Sequence, residues 1–314
     1  MGGKNATEVL RADAAGIAQA ARILNAGGLV AVPTETVYGL AARADRADAV
    51  AAIYAAKGRP DFNPLIVHVA DLEQAERLVD MDERAAGLVR RFWPGPLTMV
   101  LPVRPDSGLA KAVTAGLPTL AVRMPAHPTM RAVLAQTEAP LAAPSANASE
   151  TVSPTCPDHV LKTLRGRIDA VLDGGASADG LESTIVALRD DGTWNLLRPG
   201  PIEEGELSEI LGPCENAMTS SIEAPGQLAR HYAPGKPVRL NATSASSDEF
   251  HIGFGDVAGD WSLSPEGSLT EAAARLYAGL HRGAESVRAR IAIAPIPDDG
   301  LGAAINDRLR RAAA

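Results

Sequence analysis

The segment AAKGRPDFNPLIVHV, residues 55–69, gathers the side chains best suited to bind an anion. Lys57 and Arg59 stand on either side of Gly58, which we expect to end a helix in the left-handed conformation. Because Arg59 precedes Pro60, its backbone should be extended, and both cations should leave the chain on the same side. An ammonium beside a planar guanidinium suits a polyphosphate or a carboxylate. The alternative is a solvated cation pair after a helix.

Asn63 and His68 follow in the same segment and favour the first interpretation. His68 falls inside the apolar run LIVHV, where a buried polar ring needs a hydrogen-bond partner. The ring either contacts a ligand or bonds to the backbone as a core histidine. The sequence leaves both readings of His68 open.

Polar side chains also stand at the ends of several other short apolar runs that we interpret as strands. In open α/β sheets, ligands bind at such strand ends, and a segment of small hydroxyl residues such as APSANASETVSPT can offer backbone N–H groups to an anion. A polar turn with satisfied hydroxyls is the alternative for each run taken alone. The candidate binding residues are Thr34, Tyr38, Thr119, Arg123, Ser145, Asn147, Ser153, Ser183 and Arg198.

Two further motifs were weighed as ligand sites. The segment GFGDVAG has the spacing G-x-G-x-x-x-G, one residue longer than a dinucleotide fingerprint, and we reject it. His231 and Tyr232 stand in the Gly- and Pro-rich segment ARHYAP. They either pack as a local staple or close over a ligand. Neither a P-loop nor a nucleophile elbow is present in the sequence.

Composition narrows the possible functions. The chain has 314 residues and a net charge of −8, which argues against a broad nucleic-acid-binding surface. Its two cysteines, Cys156 and Cys214, lack zinc-ligand spacing, and we interpret them as incidental thiols. No run approaches the ~20 apolar residues of a membrane span. The N-terminus does not resemble a signal peptide, so we expect a cytoplasmic protein.

Helix and strand patterns alternate through the first two-thirds of the chain, which predicts an α/β sheet. Leu10 and Leu24 bound one predicted helical face, and Gly27 ends that helix. Several strands follow one another without room for a crossover helix, so the sheet should be mixed. The predicted domains are residues 1–212, a linker at 213–237 that acts as a lid, and a smaller C-terminal α/β domain at 238–314.

The assembled motifs resemble those of one family. PTETVYGLAARADR, IYAAKGRP, NPLIVHV, WPGPLT, LAVRMPAHP, APSANASE, ESTIV and LLRPG are similar to the motifs of YrdC-type L-threonylcarbamoyladenylate synthases. APGQLARHYAP and GLGAAINDRL resemble the linker and tail of the longer, two-domain (Sua-type) form. The resemblance implies a twisted mixed sheet with a deep cavity, followed by a small Rossmann-like domain.

The resemblance also implies substrates and residue roles. The family makes threonylcarbamoyl-AMP and pyrophosphate from L-threonine, bicarbonate and ATP, with Mg²⁺ on the ATP phosphates rather than on protein ligands. Lys57 and Arg59 then serve catalysis at the phosphates. The implied threonine-binding residues are Thr34, Tyr38, His68, Arg123 and Ser183. The implied ATP-binding residues are Lys57, Arg59, Asn63, Thr119, Ser145, Asn147, Ser153, Arg198 and Tyr232.

The implied product is passed to other proteins that transfer the threonylcarbamoyl group to tRNA, so direct contact with nucleic acid should be weak or indirect. Two other functions of the same fold compete with this one. An RNA-binding module is disfavoured by the net charge of −8 and the 4% aromatic content. A carbamoyl-transfer domain would usually sit in a longer chain with acylphosphatase or zinc-finger segments, and this sequence contains neither.

Overall fold

The computed structural model describes residues 6–215, 223–227 and 231–314. The larger sheet is built from β1 (Glu8–Arg11), β2 (Val30–Val32), β3 (Gly39–Arg43), β4 (Ile66–His68), β5 (Leu97–Pro102), β6 (Thr119–Arg123), β7 (Leu141–Ala142), β8 (Ala170–Asp173), β9 (Thr184–Leu188) and β10 (Trp194–Arg198). The helices that accompany it are α1 (Ala14–Asn25), α2 (Ala47–Lys57), α3 (Leu72–Leu78), α4 (Glu83–Phe92), α5 (Pro128–Thr137), α6 (Pro157–Leu164) and α7 (Glu204–Leu211). A short 3-10 helix spans Lys111–Val113.

Local signals set the ends of the first two helices. Asp13 caps α1 by accepting a hydrogen bond from the Gly16 amide, which satisfies one of the unpaired N–H groups of the first turn. Leu10 therefore lies outside the helix, in β1, and its predicted place on the helical face is wrong. Gly58 ends α2 with φ 61°, the left-handed stop that the sequence predicts, and so aims the following residues away from the helix.

The larger sheet is mixed, as predicted. Its strand order is β1-β8-β2-β3-β7-β4-β6-β5-β9-β10. The pairs β4–β6 and β5–β9 are parallel, whereas β4–β7, β5–β6 and β9–β10 are antiparallel. The β4, β6, β5, β9 and β10 strands therefore lie side by side. Their order brings residues from distant parts of the chain onto one face.

The two faces of this part of the sheet are covered differently. Val67 and Val122 belong to the main core, which also contains side chains of α2 and α4. Alternate residues point the other way, so Ile66 and Ala121 belong to a much smaller apolar cluster that Ala224 completes. No helix of the first domain contributes to that small cluster among the described residues, which leaves room for a cavity on this face.

The C-terminal part forms a second, smaller sheet. Its strands are β11 (Val238–Arg239), β12 (Glu249–Gly253), β13 (Trp261–Ser262) and β14 (Arg290–Ile293), and its helices are α8 (Leu269–Glu285) and α9 (Leu301–Ala313). The order β11-β14-β12-β13 is parallel at every described pairing. The predicted fold, a mixed α/β sheet with a smaller α/β domain, is confirmed.

The predicted linker, 213–237, falls between the end of α7 at Leu211 and the start of β11 at Val238. Its residues 216–222 and 228–230 lie outside the described residues, as do residues 1–5. The exact domain limits, 1–212 and 238–314, stay predictions.

Candidate active site

A cavity lies on the sparsely covered face of the larger sheet, beneath Pro225 and Gly226. It encloses about 550 Å³, including the part that is open to solvent. Three arginines contribute to its wall: Arg59, Arg123 and Arg198.

Strand ends supply much of the wall, as the sequence predicts. His68, Arg123 and Arg198 are the last residues of β4, β6 and β10, and Ser183 immediately precedes β9. Ile66 also lines the cavity, two residues before His68 on the same face of β4. The cavity therefore extends from the strand ends along the face of the sheet.

Neither Arg59 nor Arg198 forms a direct ion pair with a carboxylate among the described residues, although the charge of Glu182 acts on Arg198 from a distance. The Arg59 Nη2 donates to Asn63 Oδ1 at 2.6 Å and to the Pro64 carbonyl at 2.8 Å. The Arg198 Nε and Nη2 donate to the carbonyl and the Oγ of Ser183, at 3.0 and 3.1 Å. These acceptors are uncharged, as are the Asn63 and Pro225 carbonyls that Arg59 and Arg198 also contact. Each guanidinium is thus held in place while its positive charge stays available to a ligand.

Lys57 lies just behind this wall. Its side chain is buried, and Nζ donates to the carbonyls of Ser145 and Asn147 at 2.6 and 2.5 Å. Ser145 lines the cavity, whereas Lys57 does not. The Lys57 amine therefore holds the loop at 145–147 from behind the cavity wall.

Burial lowers the pKa of each of the three cations, Lys57, Arg59 and Arg198. Burial, followed by the charge of Arg59, holds the pKa of the Lys57 ammonium well below its ordinary value. Burial, together with the charge of Arg198, lowers the pKa of Arg59 to about 10. Burial also lowers the pKa of Arg198. A bound anion would relieve this strain, because it offers the countercharge that the protein withholds.

Arg123 differs from the other two arginines because it has a carboxylate partner. Its Nη2 lies 2.6 Å from Glu35 Oε1, and its Nη1 donates to Thr36 Oγ1 at 2.9 Å. Burial alone would raise the pKa of Glu35, but the charge of Arg123 and the Ala126 amide outweigh it and lower the pKa to about 2. This end of the cavity is therefore polar and nearly neutral, with Thr34 Oγ1 2.8 Å from Thr36 Oγ1.

Two histidines, His68 and His231, line the cavity, and both rings are neutral. Burial lowers the pKa of His68 and of His231 to about 3. The Nδ1 atom of each ring is buried without a hydrogen-bond partner. Since an unpaired buried polar atom is costly, both rings fit contacts with a molecule in the cavity. His68 also forms a hydrogen bond with the backbone of Ile66, so its contact with a ligand stays a prediction.

The linker covers the cavity. Tyr232 is fully buried, with φ 62°, and the Ala233 amide donates to the Glu150 carbonyl at 2.8 Å. Gly226 has φ 89°, and a Cβ there would stand 3.0 Å from Arg198 Cδ. Glycine at 226 thus lets the linker backbone lie directly against the arginine.

Comparison with known proteins identifies the family. A family model described as "Telomere recombination" matches residues 22–200, and one described as "Threonylcarbamoyl-AMP synthase, C-terminal domain" matches residues 202–314. The chain belongs to the threonylcarbamoyl-AMP synthase family. The family predicted from the motifs, in its two-domain form, is confirmed.

Individual members of the family are similar to this chain over almost its whole length. The chain is 41% identical to the threonylcarbamoyl-AMP synthase of Bacillus subtilis, covering 95% of this chain and 92% of that one. It is 37% identical to the threonylcarbamoyl-AMP synthase of Pyrococcus abyssi, covering 93% and 92%. The crystal structure of P. abyssi Sua5 complexed with L-threonine superposes with a TM-score of 0.88 at 35% identity, covering 98% of this chain and 97% of that one.

The structure brings most of the predicted site residues of this synthase-family chain to one place. Thr34, Arg59, His68, Arg123, Ser145, Ser183, Arg198 and Tyr232 line the cavity. Asn63 and Asn147 hold Arg59 and Lys57 from behind. Their contacts with particular substrates stay predictions.

Three predicted residues lie away from the cavity wall. Tyr38 donates its hydroxyl to the Gly175 carbonyl at 2.6 Å. Ser153 donates to Glu182 Oε1 at 2.6 Å. Thr119 begins β6 on the same face as Arg123, four residues earlier, next to Pro102 of β5. Their binding roles also stay predictions.

Sequence reasoning passed over two carboxylates in the cavity region, Glu35 and Glu182. Both stand inside quoted motifs, PTETVYGL and ESTIV. A carboxylate repels a bound anion, so neither glutamate is expected near an anion site. The ion pairs Glu35–Arg123 and Glu182–Arg308 explain why both are present. The sequence does offer one indication of their role: Glu35 directly follows Thr34, and Glu182 directly precedes Ser183, both of which are predicted binding residues.

Within residues 6–215, 223–227 and 231–314, no group of three or more His, Cys, Asp or Glu side chains could hold a metal ion. In that same part of the chain, none of the helices has the length and apolar character of a membrane span.

Proposed function

We propose that this cavity binds ATP and L-threonine together and joins them with bicarbonate into threonylcarbamoyl-AMP, releasing pyrophosphate. The observation that carries the proposal is the pair Arg59 and Arg198, two guanidiniums in one covered cavity whose acceptors are all uncharged. A chain of net charge −8 holds such charges out of water only where an anion repays their desolvation.

The uncompensated cations favour the triphosphate. Guanidinium groups bind phosphate oxygens in two-pronged fashion, and Arg59 and Arg198 lie on the same wall with Lys57 behind it. We assign these three residues to the phosphates, with Ser145 and Asn147 next to them. Asn63, Thr119, Ser153 and Tyr232 are assigned to the nucleotide from the family resemblance.

The Arg123 end suits the amino acid. Glu35 neutralises much of the Arg123 charge, so this end attracts a triphosphate less than Arg59 and Arg198 do. A single carboxylate and an amine need fewer cations, and they can use the hydroxyls of Thr34 and Thr36 and the neutral ring of His68. We therefore assign Thr34, His68, Arg123 and Ser183 to L-threonine. Tyr38 supports this end through the glycine pair that follows β8.

The chemistry needs no side-chain nucleophile. The amine of threonine adds to the carbon of bicarbonate, and loss of water leaves a carbamate. A carbamate oxygen then attacks the α-phosphorus of ATP, the bond to the β-phosphate oxygen breaks, and pyrophosphate leaves with that electron pair. Positioning of the reactants and stabilisation of the charge on the leaving group carry the reaction. Arg59 and Arg198 are placed to supply the second of these.

Magnesium fits this site as part of the substrate, MgATP. Glu182 in the cavity wall and Glu35, which pairs with the lining residue Arg123, already bind Arg308 and Arg123, so neither is free to serve as a dedicated metal ligand. Bound to the phosphates, the ion would neutralise the charge of the departing pyrophosphate. The protein's own part is to orient the phosphates with its guanidinium groups.

The covering linker protects the intermediate. A carbamate and a mixed anhydride both decompose in water, and a closed site excludes it. Tyr232, fully buried over the cavity, is the side chain we assign to this lid. We further propose that the product passes to tRNA-modifying transfer proteins in the cytoplasm, with little direct contact between this chain and tRNA.

Threonine-dependent release of pyrophosphate tests the proposal. The purified chain, given MgATP, bicarbonate and L-threonine, should release pyrophosphate, and leaving out threonine or bicarbonate should abolish the release. Turnover that ignores threonine but requires carbamoyl phosphate would favour the carbamoyl-transfer alternative. Salt-sensitive binding of tRNA without any turnover would favour an RNA-binding module.

A further inference from the structure

A buried cluster joins the second domain to the wall of the cavity. Its centre is Glu182, which lines the cavity beside Ser183. Tyr277 of α8 and Arg308 of α9 reach Glu182 from the second domain, and Tyr232 of the linker packs against both. The second domain therefore contacts the proposed active site through a few identified atoms.

Glu182 has all its strong contacts inside this cluster. Arg308 Nε donates to Glu182 Oε2 at 2.7 Å, and the Tyr277 hydroxyl donates to the same oxygen at 2.8 Å. Ser153 donates to Oε1 at 2.6 Å. The Arg308 side chain has 0% of its surface exposed. Two of the three donors thus come from the second domain.

Arg308 also touches the two elements that flank Glu182. Its Nη2 donates to the Pro199 carbonyl at 3.0 Å, directly after Arg198. Its guanidinium carbon lies 5.5 Å from the centre of the Tyr232 ring, within the range of a cation–π contact. The rings of Tyr232 and Tyr277 are 5.6 Å apart. One side chain therefore fixes both the cavity wall and the lid.

The loop that carries Glu182 is pressed against α8. Gly180 has φ 72°, and a Cβ there would stand 2.4 Å from Ala274 Cα. Such a distance excludes any side chain at 180, so the loop backbone lies directly on the second domain. A shift of that domain would move Glu182 and, next to it, Ser183, which accepts the hydrogen bonds of Arg198.

The charge of Glu182 explains why such a contact is needed. A carboxylate in the wall of a site for a triphosphate repels the ligand, and in a partly desolvated cavity that repulsion is strong. Arg308 supplies the compensating charge from the far side. Without Arg308, the negative charge of Glu182 would weaken the attraction of Arg59 and Arg198 for the phosphates.

We propose that Arg308 and Tyr277 are positioning residues for ATP: they neutralise and orient Glu182 and hold Tyr232 over the cavity, so that the second domain keeps the site closed. The inference rests on the proposed function, because it takes ATP as the anion. It assigns the second domain a role at the active site while leaving the chemistry to the first.

A charge-rescue experiment tests this inference. We expect Arg308→Met to raise the KM for ATP on the order of tenfold to a hundredfold, and Tyr277→Phe to raise it roughly threefold to tenfold. The double variant Arg308→Met/Glu182→Gln should return the KM most of the way to that of the wild type, because the repelling charge is gone. Arg239→Met removes an arginine that pairs with Glu249 at 2.6 Å inside the second domain. Arg239, 51% exposed where Arg308 is 0% exposed, serves as the control for loss of an arginine in the second domain, and its replacement should leave the KM unchanged.

A merely structural role predicts another pattern. It would lower thermal stability and active protein in Arg308→Met, leave the KM of the folded fraction near that of the wild type, and gain nothing from Glu182→Gln. That result would overturn the proposal. If Arg308→Met does not fold, Tyr277→Phe carries the test, and an unchanged KM there would equally overturn it.

Hydrogen exchange separates this inference from the proposed function. Peptides that contain Ala224 or Tyr232 should exchange faster in Arg308→Met and Tyr277→Phe than in the wild type or Arg239→Met. Faster exchange in a protein that shows no threonine-dependent turnover would uphold the contact between domain and lid while contradicting the proposed reaction. Unchanged exchange would overturn the lid contact whatever the reaction is.

Discussion

Replacing Arg59 by glutamine should cost little stability, which is unusual for an arginine with three hydrogen bonds. The side chain donates to Asn63 Oδ1, to the Asn63 carbonyl and to the Pro64 carbonyl. Losing these bonds removes about 3 kcal/mol, at about 1 kcal/mol each. The lowered pKa, about 10, shows that the fold also disfavours the charge. At 1.36 kcal/mol per pH unit this amounts to roughly 2–3 kcal/mol, allowing for the solvent that still reaches part of the group.

The two terms nearly cancel, so the free energy of unfolding of Arg59→Gln should stay within about 1–2 kcal/mol of the wild type. The matched control is Arg123→Gln, the same substitution in the same cavity. It strands the carboxylate of Glu35, whose own side chain is only 11% exposed. Breaking such a buried pair costs about 3–5 kcal/mol.

Thermal unfolding of both variants without substrates measures the difference. At roughly 2 °C per kcal/mol for a chain of this length, Arg123→Gln should lower the midpoint by roughly 6–10 °C, and Arg59→Gln by less than roughly 4 °C. Adding MgATP should raise the midpoint of the wild type and have much less effect on Arg59→Gln. If Arg59→Gln loses as much stability as Arg123→Gln, the cavity does not hold an uncompensated charge, and the reasoning fails.

Three further changes have definite expected outcomes. Lys57→Met removes the amine that donates to the Ser145 and Asn147 carbonyls and should lower threonine-dependent pyrophosphate release at least about a hundredfold while circular dichroism stays unchanged; near-normal turnover would refute its role. Tyr232→Ala should shorten the half-life of the adenylate product, followed by chromatography, whereas Tyr232→Phe should not; equal half-lives in all three proteins would count against a lid. The pKa of Glu35 is lowered to about 2 from 4.5, so its contribution to stability is complete above about pH 4.5 and is lost as the pH falls toward 2. Denaturant unfolding between pH 2 and 5 should therefore show a shallower loss of stability in Glu35→Gln than in the wild type, and parallel curves would contradict the pairing.

Much of the fold follows from local signals that the sequence displays. The strands at LVAV, LIVHV and TLAVR are short apolar runs bounded by Pro, Gly or Asp, and the structure contains strands within all three. Gly58 ends α2 as its type predicts. The prediction for Leu10 is wrong because its spacing fits the helical face. The start of α1 is set instead by the cap at Asp13 and by the pairing of β1 with β8. Periodicity alone could not show either contact.

The sequence predicts those parts of the site that local signals mark, and it misses those that depend on contacts between distant residues. Arg59, His68, Arg123 and Arg198 stand at strand ends or helix ends, where sequence reasoning looks for ligand contacts, and all four line the cavity. The role of Glu182 depends on Arg308, 126 residues away in the chain. No local pattern reports that such distant residues meet. The same holds for the cavity's extension along the sheet face, which depends on strand order.

The most direct test of the central claim is mass spectrometry of the product. The purified chain is incubated with MgATP, ¹³C-labelled bicarbonate and each of the twenty amino acids in turn. The account predicts a labelled carbamoyl-adenylate with L-threonine, and little or none with any other amino acid. Absence of this product with threonine, from protein shown to be folded, would contradict it.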